Sequence, residues 1–170
     1  MTLEEHVAYS LLNFYQSRDR IEVVSFHPPS GKAYDSALVR FPILSNIGLA
    51  GKRRHLDFIV RCGRFLILQE LKGDASSLVE DVLKLQNLES ELGIDGIVQT
   101  IAKRVPRIRN MPKIDRLVLS VGYSKINGVI PGIFSTFCVD DQGLVTWKWG
   151  TDLIIGEQDE LNTFLNSVEV

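Results

Sequence analysis

Residues 57–72 read D-F-I-V-R-C-G-R-F-L-I-L-Q-E-L-K, and this run decides the fold. Two segments rich in Ile, Leu, Val and Phe flank Cys62-Gly63, where a two-residue loop would close a β-hairpin. That turn predicts Arg61 facing Arg64, Phe58 facing Ile67 and Asp57 facing Leu68. Side chains alternate along a strand, so Asp57, Leu68, Glu70 and Lys72 share one face. The opposite face reads Phe58, Val60, Phe65, Ile67 and Leu71, with Gln69 its polar exception.

Strands this apolar are normally buried on both faces, and a buried charge costs several kcal/mol unless it is paired or bound to a metal. Asp57 and Glu70 supply hard oxygen ligands of the kind that suit Mg²⁺ or Mn²⁺, ions that keep several waters and bind substrate phosphate oxygens. Lys72 adds a cation two residues beyond Glu70, placed to hold an attacking water and to stabilise charge developing on phosphorus. The chemistry expected of such a cluster is phosphodiester hydrolysis. The competing expectation is an unrelated α/β domain with Asp57 and Glu70 exposed on an edge strand.

Carried by Asp57, Glu70 and Lys72, the pattern D-x(12)-E-x-K resembles the PD-(D/E)XK nuclease superfamily, and its spacing is similar to that of archaeal Holliday junction resolvases. The match covers this short core. His55-Leu56 stands where many members have a proline before the aspartate. The resemblance implies a restriction-endonuclease-like α/β fold with an αβββαβ core, and a Mg²⁺- or Mn²⁺-dependent endonuclease acting on DNA. The alternative within the same resemblance is a catalytically inactive relative that binds DNA or assembles with a partner.

Members of this family often draw a further metal-site acid from the first helix. Thr2 followed by Glu5 forms a capping box, which occupies Glu5 structurally. Leu3, Val7, Ala8, Leu11, Leu12, Phe14 and Tyr15 recur at helical spacing, and Glu4 projects near the centre of their stripe. The resemblance therefore assigns the helix-one role to Glu4, against its reading as an exposed first-turn acid favoured by the helix dipole.

The chain has 170 residues with 45% hydrophobic content, enough for one good core, and reads as a single domain, 1–170. No basic, apolar leader and no membrane-length apolar run is present, so a cytoplasmic protein is expected. Cys62 and Cys138 are too few for a disulfide framework or a structural zinc site and are expected to be reduced. A net charge of -2 argues against a general nucleic-acid coat protein, although local patches can still bind phosphates. One patch, Lys52, Arg53 and Arg54, leads into the Asp57 strand. A second runs through Lys103, Arg104, Arg107, Arg109 and Lys113 to Arg116, broken by Pro106 and Pro112 into a DNA-tracking loop or a solvated turn. Because one site cuts one strand, a duplex break favours a homodimer or higher homo-oligomer.

The remaining elements follow from periodicity and punctuation. Helix is expected over 2–18, strands over 21–26 and 37–44, the hairpin over 56–71 and a crossover helix over 76–92 stopped by Gly93. Leu78, Val79, Val82, Leu83, Leu85 and Leu88 make that helix's broad apolar face. Residues 97–105 suit a short helix or a buried extended piece, 113–123 a strand, 133–139 and 144–149 a second hairpin, and 157–167 a closing helix. The fold class is thus α/β, a mixed central sheet flanked by helices with extra C-terminal strands. Gln86 on the crossover helix is a weak match to a glutamine found after the lysine in some subfamilies. His6, His27 and His55 lack metal-ligand spacing, Ser30-Gly31-Lys32 reads as a turn, and Trp147 and Trp149 share a strand face expected to pack into the core.

Overall fold

The computed structural model describes residues 2–27, 56–72, 78–104, 113–124, 133, 135–150 and 152–166. The chain opens with α1, Leu3–Gln16, whose cap Thr2 accepts a hydrogen bond from the Glu5 N–H at 3.1 Å. Val7, Ala8, Leu11, Leu12 and Tyr15 form the buried stripe of α1. Strand β1, Ile21–Phe26, follows, and the hairpin comprises β2, Phe58–Cys62, and β3, Phe65–Leu71. The expected strand at 37–44 lies outside the described residues.

The hairpin register differs from expectation. Phe58 pairs with Gln69, Ile59 with Leu68, Arg61 with Leu66 and Cys62 with Phe65, leaving Gly63-Arg64 as the loop. Burial decides this choice. Cys62 is fully buried in the core, whereas Arg64 reaches Asp115 and Glu160 at 3.1 Å each. Gly63 takes the positive φ, 58°, that a primed turn requires at its first loop position. The slip is by two residues, so every side chain keeps its predicted face. It sets Arg61 across from Leu66 instead of Arg64, and on its other side Arg61 pairs with Glu22 of β1.

After β3 comes α2, Leu78–Arg104, which is helical on both sides of a break at Gly93 (φ 63°, ψ 175°). The predicted stop is therefore real, but the helix resumes and takes in the ambiguous stretch from residue 97. Leu85 and Leu88 are buried, while Val79 and Leu83 are exposed, so the apolar face is narrower than its sequence suggested. Strands β4, Arg116–Tyr123, β5, Ser135–Val139, and β6, Val145–Trp149, precede α3, Ile155–Leu165. Among the described residues, no helix is long and apolar enough to cross a membrane.

Among the described residues, six strands form one mixed sheet in the order β1-β2-β3-β4-β5-β6. β3, β4 and β5 are mutually parallel, while β2 and β6 run against their neighbours. One sheet face, with Phe58, Val60, Phe65 and Ile67, packs on residues of α1 and α3. Ile59, Leu66, Leu68, Leu119 and Val121 on the other face pack on α2. Gln69 is accommodated on the α1 side because the Tyr15 hydroxyl donates to its Oε1 and its Nε2 donates to Ser120 Oγ at 3.1 Å. Trp147 and Trp149 stack at 6.0 Å and pack against the α1-side core, as expected.

Candidate active site

Parallel strands leave their C-terminal ends together, and at this end the sheet meets the first turns of both α1 and α2. His6 of α1 lies 2.8 Å from the Asp140 carbonyl just past β5, and α2 reaches back to Glu70 and Lys72 of the β3 end. Asp57 precedes β2, and the ladder continued one step beyond Phe58 and Gln69 places it opposite Glu70. Glu70 is on interior strand β3 and Asp57 directly precedes interior strand β2, which removes the edge-strand alternative.

Asp57 is held by backbone on two sides. Its carbonyl accepts the His27 N–H and its Oδ2 accepts the Leu71 N–H, each at 2.9 Å. Its carboxyl also hydrogen-bonds that of Glu70, which is 4% exposed. Burial, then the Asp57 charge and this hydrogen bond, push the Glu70 carboxyl up to about 9, against the opposing pull of Lys84. At neutral pH the pair therefore retains a proton, the usual result when two carboxyls share one buried place.

Lys84 Nζ lies 2.8 Å from Glu70 Oε1, and Lys72 Nζ lies 3.7 Å from Asp81 Oδ1. Burial pulls the Lys72 ammonium down, but the charges of Asp81, Asp57, Glu70 and Glu4 outweigh it and hold Lys72 above its ordinary range. Lys72 is thus a permanent cation at neutral pH, suited to donate hydrogen bonds and stabilise negative charge rather than to act as a base. Burial first, and then the Asp57 charge, raise the Asp81 carboxyl to about 6 against the pull of Lys72 and Lys84.

The structure thus brings Asp57, Glu70 and Lys72 together. Glu4 is half-buried on α1, and its charge reaches Lys72. Asp81 and Lys84 were not anticipated. The signal was in the sequence: Asp81 falls on the Val82, Leu85, Leu88 stripe of α2, the same anomaly of an acid on an apolar face that singled out Glu4. Gln86 is half-buried two residues beyond Lys84.

Of the basic stretches, Lys52, Arg53, Arg54, Arg107 and Arg109 lie outside the described residues. Lys103 and Arg104 are exposed at the end of α2. Lys113 is exposed just before β4, whose first residue pairs with Phe65, at the end of β3 away from Glu70.

Among the described residues, no group of three or more His, Cys, Asp or Glu side chains is gathered so as to hold a metal ion. The donor set nevertheless fits Mg²⁺, which commonly takes one or two carboxylates and keeps its waters. Two oxygen-rich side chains meet here, an ammonium sits at 2.8 Å from one of them, and Asp81 Oδ2 is a buried acceptor with no hydrogen-bond donor among the described residues.

No protein-family model, curated protein or solved structure matches the chain. Among the described residues, fold and site together define a mixed α/β protein in which a half-buried and a buried carboxyl meet two ammonium groups at the C-terminal end of the sheet.

Proposed function

We propose that this protein is a metal-dependent endonuclease that hydrolyses DNA phosphodiester bonds on a restriction-endonuclease-like fold of the PD-(D/E)XK kind. The observation that carries this reading is the half-buried Asp57 carboxyl hydrogen-bonded to the buried Glu70 carboxyl, with the Lys72 ammonium beside them. Among the described residues, the element order α1-β1-β2-β3-α2-β4 supports it, because this is the αβββαβ sequence the resemblance implies.

Mg²⁺ or Mn²⁺ at this site would neutralise charge at phosphorus and make bound water more acidic. Asp57 and Glu70 would hold the cation, giving up the proton they share, which would couple cation binding to pH. The Leu71 N–H fixes the Asp57 carboxylate, so little reorganisation is left for the moment of reaction. Lys72, kept protonated by its acidic neighbours, holds the attacking water and stabilises the charge that develops on the phosphoryl oxygens. Glu4 adds negative charge at the α1 side of Lys72. The partner is DNA, and a homodimer would place two such sites on a two-fold-related target.

A second reading, a catalytically idle DNA-binding relative, is favoured by one feature, the ion network in which Lys84 meets Glu70 and Lys72 meets Asp81. Supercoiled plasmid and a four-way DNA junction, each incubated with Mg²⁺, Mn²⁺ or EDTA beside a Lys72→Ala control, separate the two. Metal-dependent cutting that disappears in the variant supports the nuclease. Tight DNA binding without strand scission in either metal supports the idle relative.

A further inference from the structure

Helix α2 contributes to the site something that neither the hairpin nor α1 does. Asp81 and Lys84 stand three residues apart on it, a spacing that places side chains on one helical face. Lys84 reaches Glu70, and Asp81 reaches Lys72. Asp81 is 6% exposed, and its Oδ2 has no hydrogen-bond donor among the described residues. Lys72, at 3.7 Å from the other carboxylate oxygen, is beyond hydrogen-bonding distance. A buried acceptor left without a donor is costly. Asp81 is ion-paired with Lys72 and feels the charge of Asp57, so a donor entering among these groups would satisfy it.

Among the described residues, three carboxylates are not gathered within coordinating reach, which argues against Asp81 touching a cation directly. Mg²⁺ sheds water reluctantly and is often gripped through its hydration shell. We propose that Asp81 is the third carboxylate of the cation site, accepting through Oδ2 a hydrogen bond from a water on the divalent cation held by Asp57 and Glu70. The inference rests on the metal-dependent reading above and deepens it: α2, rather than α1, completes the site. Lys84, at 2.8 Å from Glu70, is the counter-charge that the cation replaces. Asp81 is thus a positioning residue, acting on the cation through its water.

The test is Mn²⁺ binding to the purified full chain by calorimetry, comparing wild type with Asp81→Asn and Glu4→Gln. Loss of an outer-shell partner typically weakens metal affinity by about 10–100-fold, which is the expected effect of Asp81→Asn, while Glu4→Gln should change affinity by less than about threefold. Wild-type affinity in Asp81→Asn, the larger loss in Glu4→Gln, or no Mn²⁺ binding by the wild type would each overturn the proposal. A measurement on the wild type alone guards against a misfolded variant. Substoichiometric Mn²⁺ should broaden the amide resonance of Asp81 together with those of Asp57 and Glu70, and a sharp Asp81 resonance beside broadened Asp57 and Glu70 would refute it. Metal binding lost in Asp81→Asn in a protein that never cuts DNA would uphold the cation site and sink the nuclease reading separately.

Discussion

Glu70 is the residue at which stability and proposed function pull apart. Its carboxyl is raised from 4.5 to about 9, so at pH 8 folding must keep a proton that the unfolded chain has already lost. Each pKa unit is worth about 1.4 kcal/mol, and a Gln side-chain oxygen can still accept from Lys84, so Glu70→Gln should stabilise the metal-free protein by about 1–3 kcal/mol at pH 8. Urea denaturation in EDTA checks this, and a destabilised variant would mean that the Lys84 pair outweighs the buried carboxyl. Cys62 has the same sign of shift for a simpler reason. Burial pushes its thiol from 9.0 up to about 12, partly opposed by Arg61. The unfolded chain gives up that proton first, so the stability associated with Cys62 is complete below pH 9.0 and falls as pH rises through the window up to about 12. Between pH 9 and 10, before tyrosines enter, Cys62→Ala should flatten the decline by up to one proton, about 1.4 kcal/mol per pH unit. An unchanged slope in chemical denaturation would remove Cys62 as its source.

At the scale of elements, two glycines do different work in holding the hairpin and the crossover helix. Gly63 turns the β2–β3 loop at a φ of 58°, and a Cβ there would lie 2.6 Å from Phe164 Cζ of α3. Gly63→Ala therefore combines backbone strain with a clash, and should cost at least about 2 kcal/mol. Gly93 breaks α2 at φ 63° and ψ 175°, and a Cβ there would meet no described atom within 4 Å. Gly93→Ala should cost about 1–3 kcal/mol from conformation alone. Equilibrium denaturation of the two variants, with Phe164→Ala added to each, tells them apart. Removal of the Phe164 ring should recover part of the Gly63 loss and none of the Gly93 loss. Equal recovery in both would refute this division.

For the whole molecule, the sheet has a chemical end and a structural end. At the first, α1, α2 and the hairpin bring Glu4, Asp57, Glu70, Lys72, Asp81 and Lys84 together. At the second, α3 is tied down by Arg64–Glu160 at 3.1 Å and Arg116–Glu157 at 2.8 Å. The exposed Arg64–Glu160 pair is worth less than about 1 kcal/mol, and the apolar contacts of Leu161, Phe164 and Leu165 carry α3. If the protein cuts duplexes as a homodimer, sedimentation equilibrium in the presence of DNA should give twice the 19.1 kDa chain mass per duplex, and plasmid should pass directly to linear product. A complex with one chain per duplex and only nicked plasmid would assign it single-strand cleavage.

The alternation of residues 57–72 was enough to put Asp57, Glu70 and Lys72 on one face, because side-chain period is a local property that a two-residue slip leaves unchanged. Helix α1 and its Thr2 cap, strand β1, the break at Gly93 and the Asp140–Gly143 turn were equally legible, since each is specified by neighbours in the chain. Tertiary structure decided the rest. Whether the loop was Cys62-Gly63 or Gly63-Arg64 depended on which residue the α1-side core would bury and which could reach Asp115 and Glu160, partners 51 and 96 positions away. Asp81 and Lys84 joined the site only because α2 packs back over β3, and no spacing within the Asp57–Lys72 run encodes that return. Local order is written residue by residue, whereas the meeting of distant charges is set by how the layers pack.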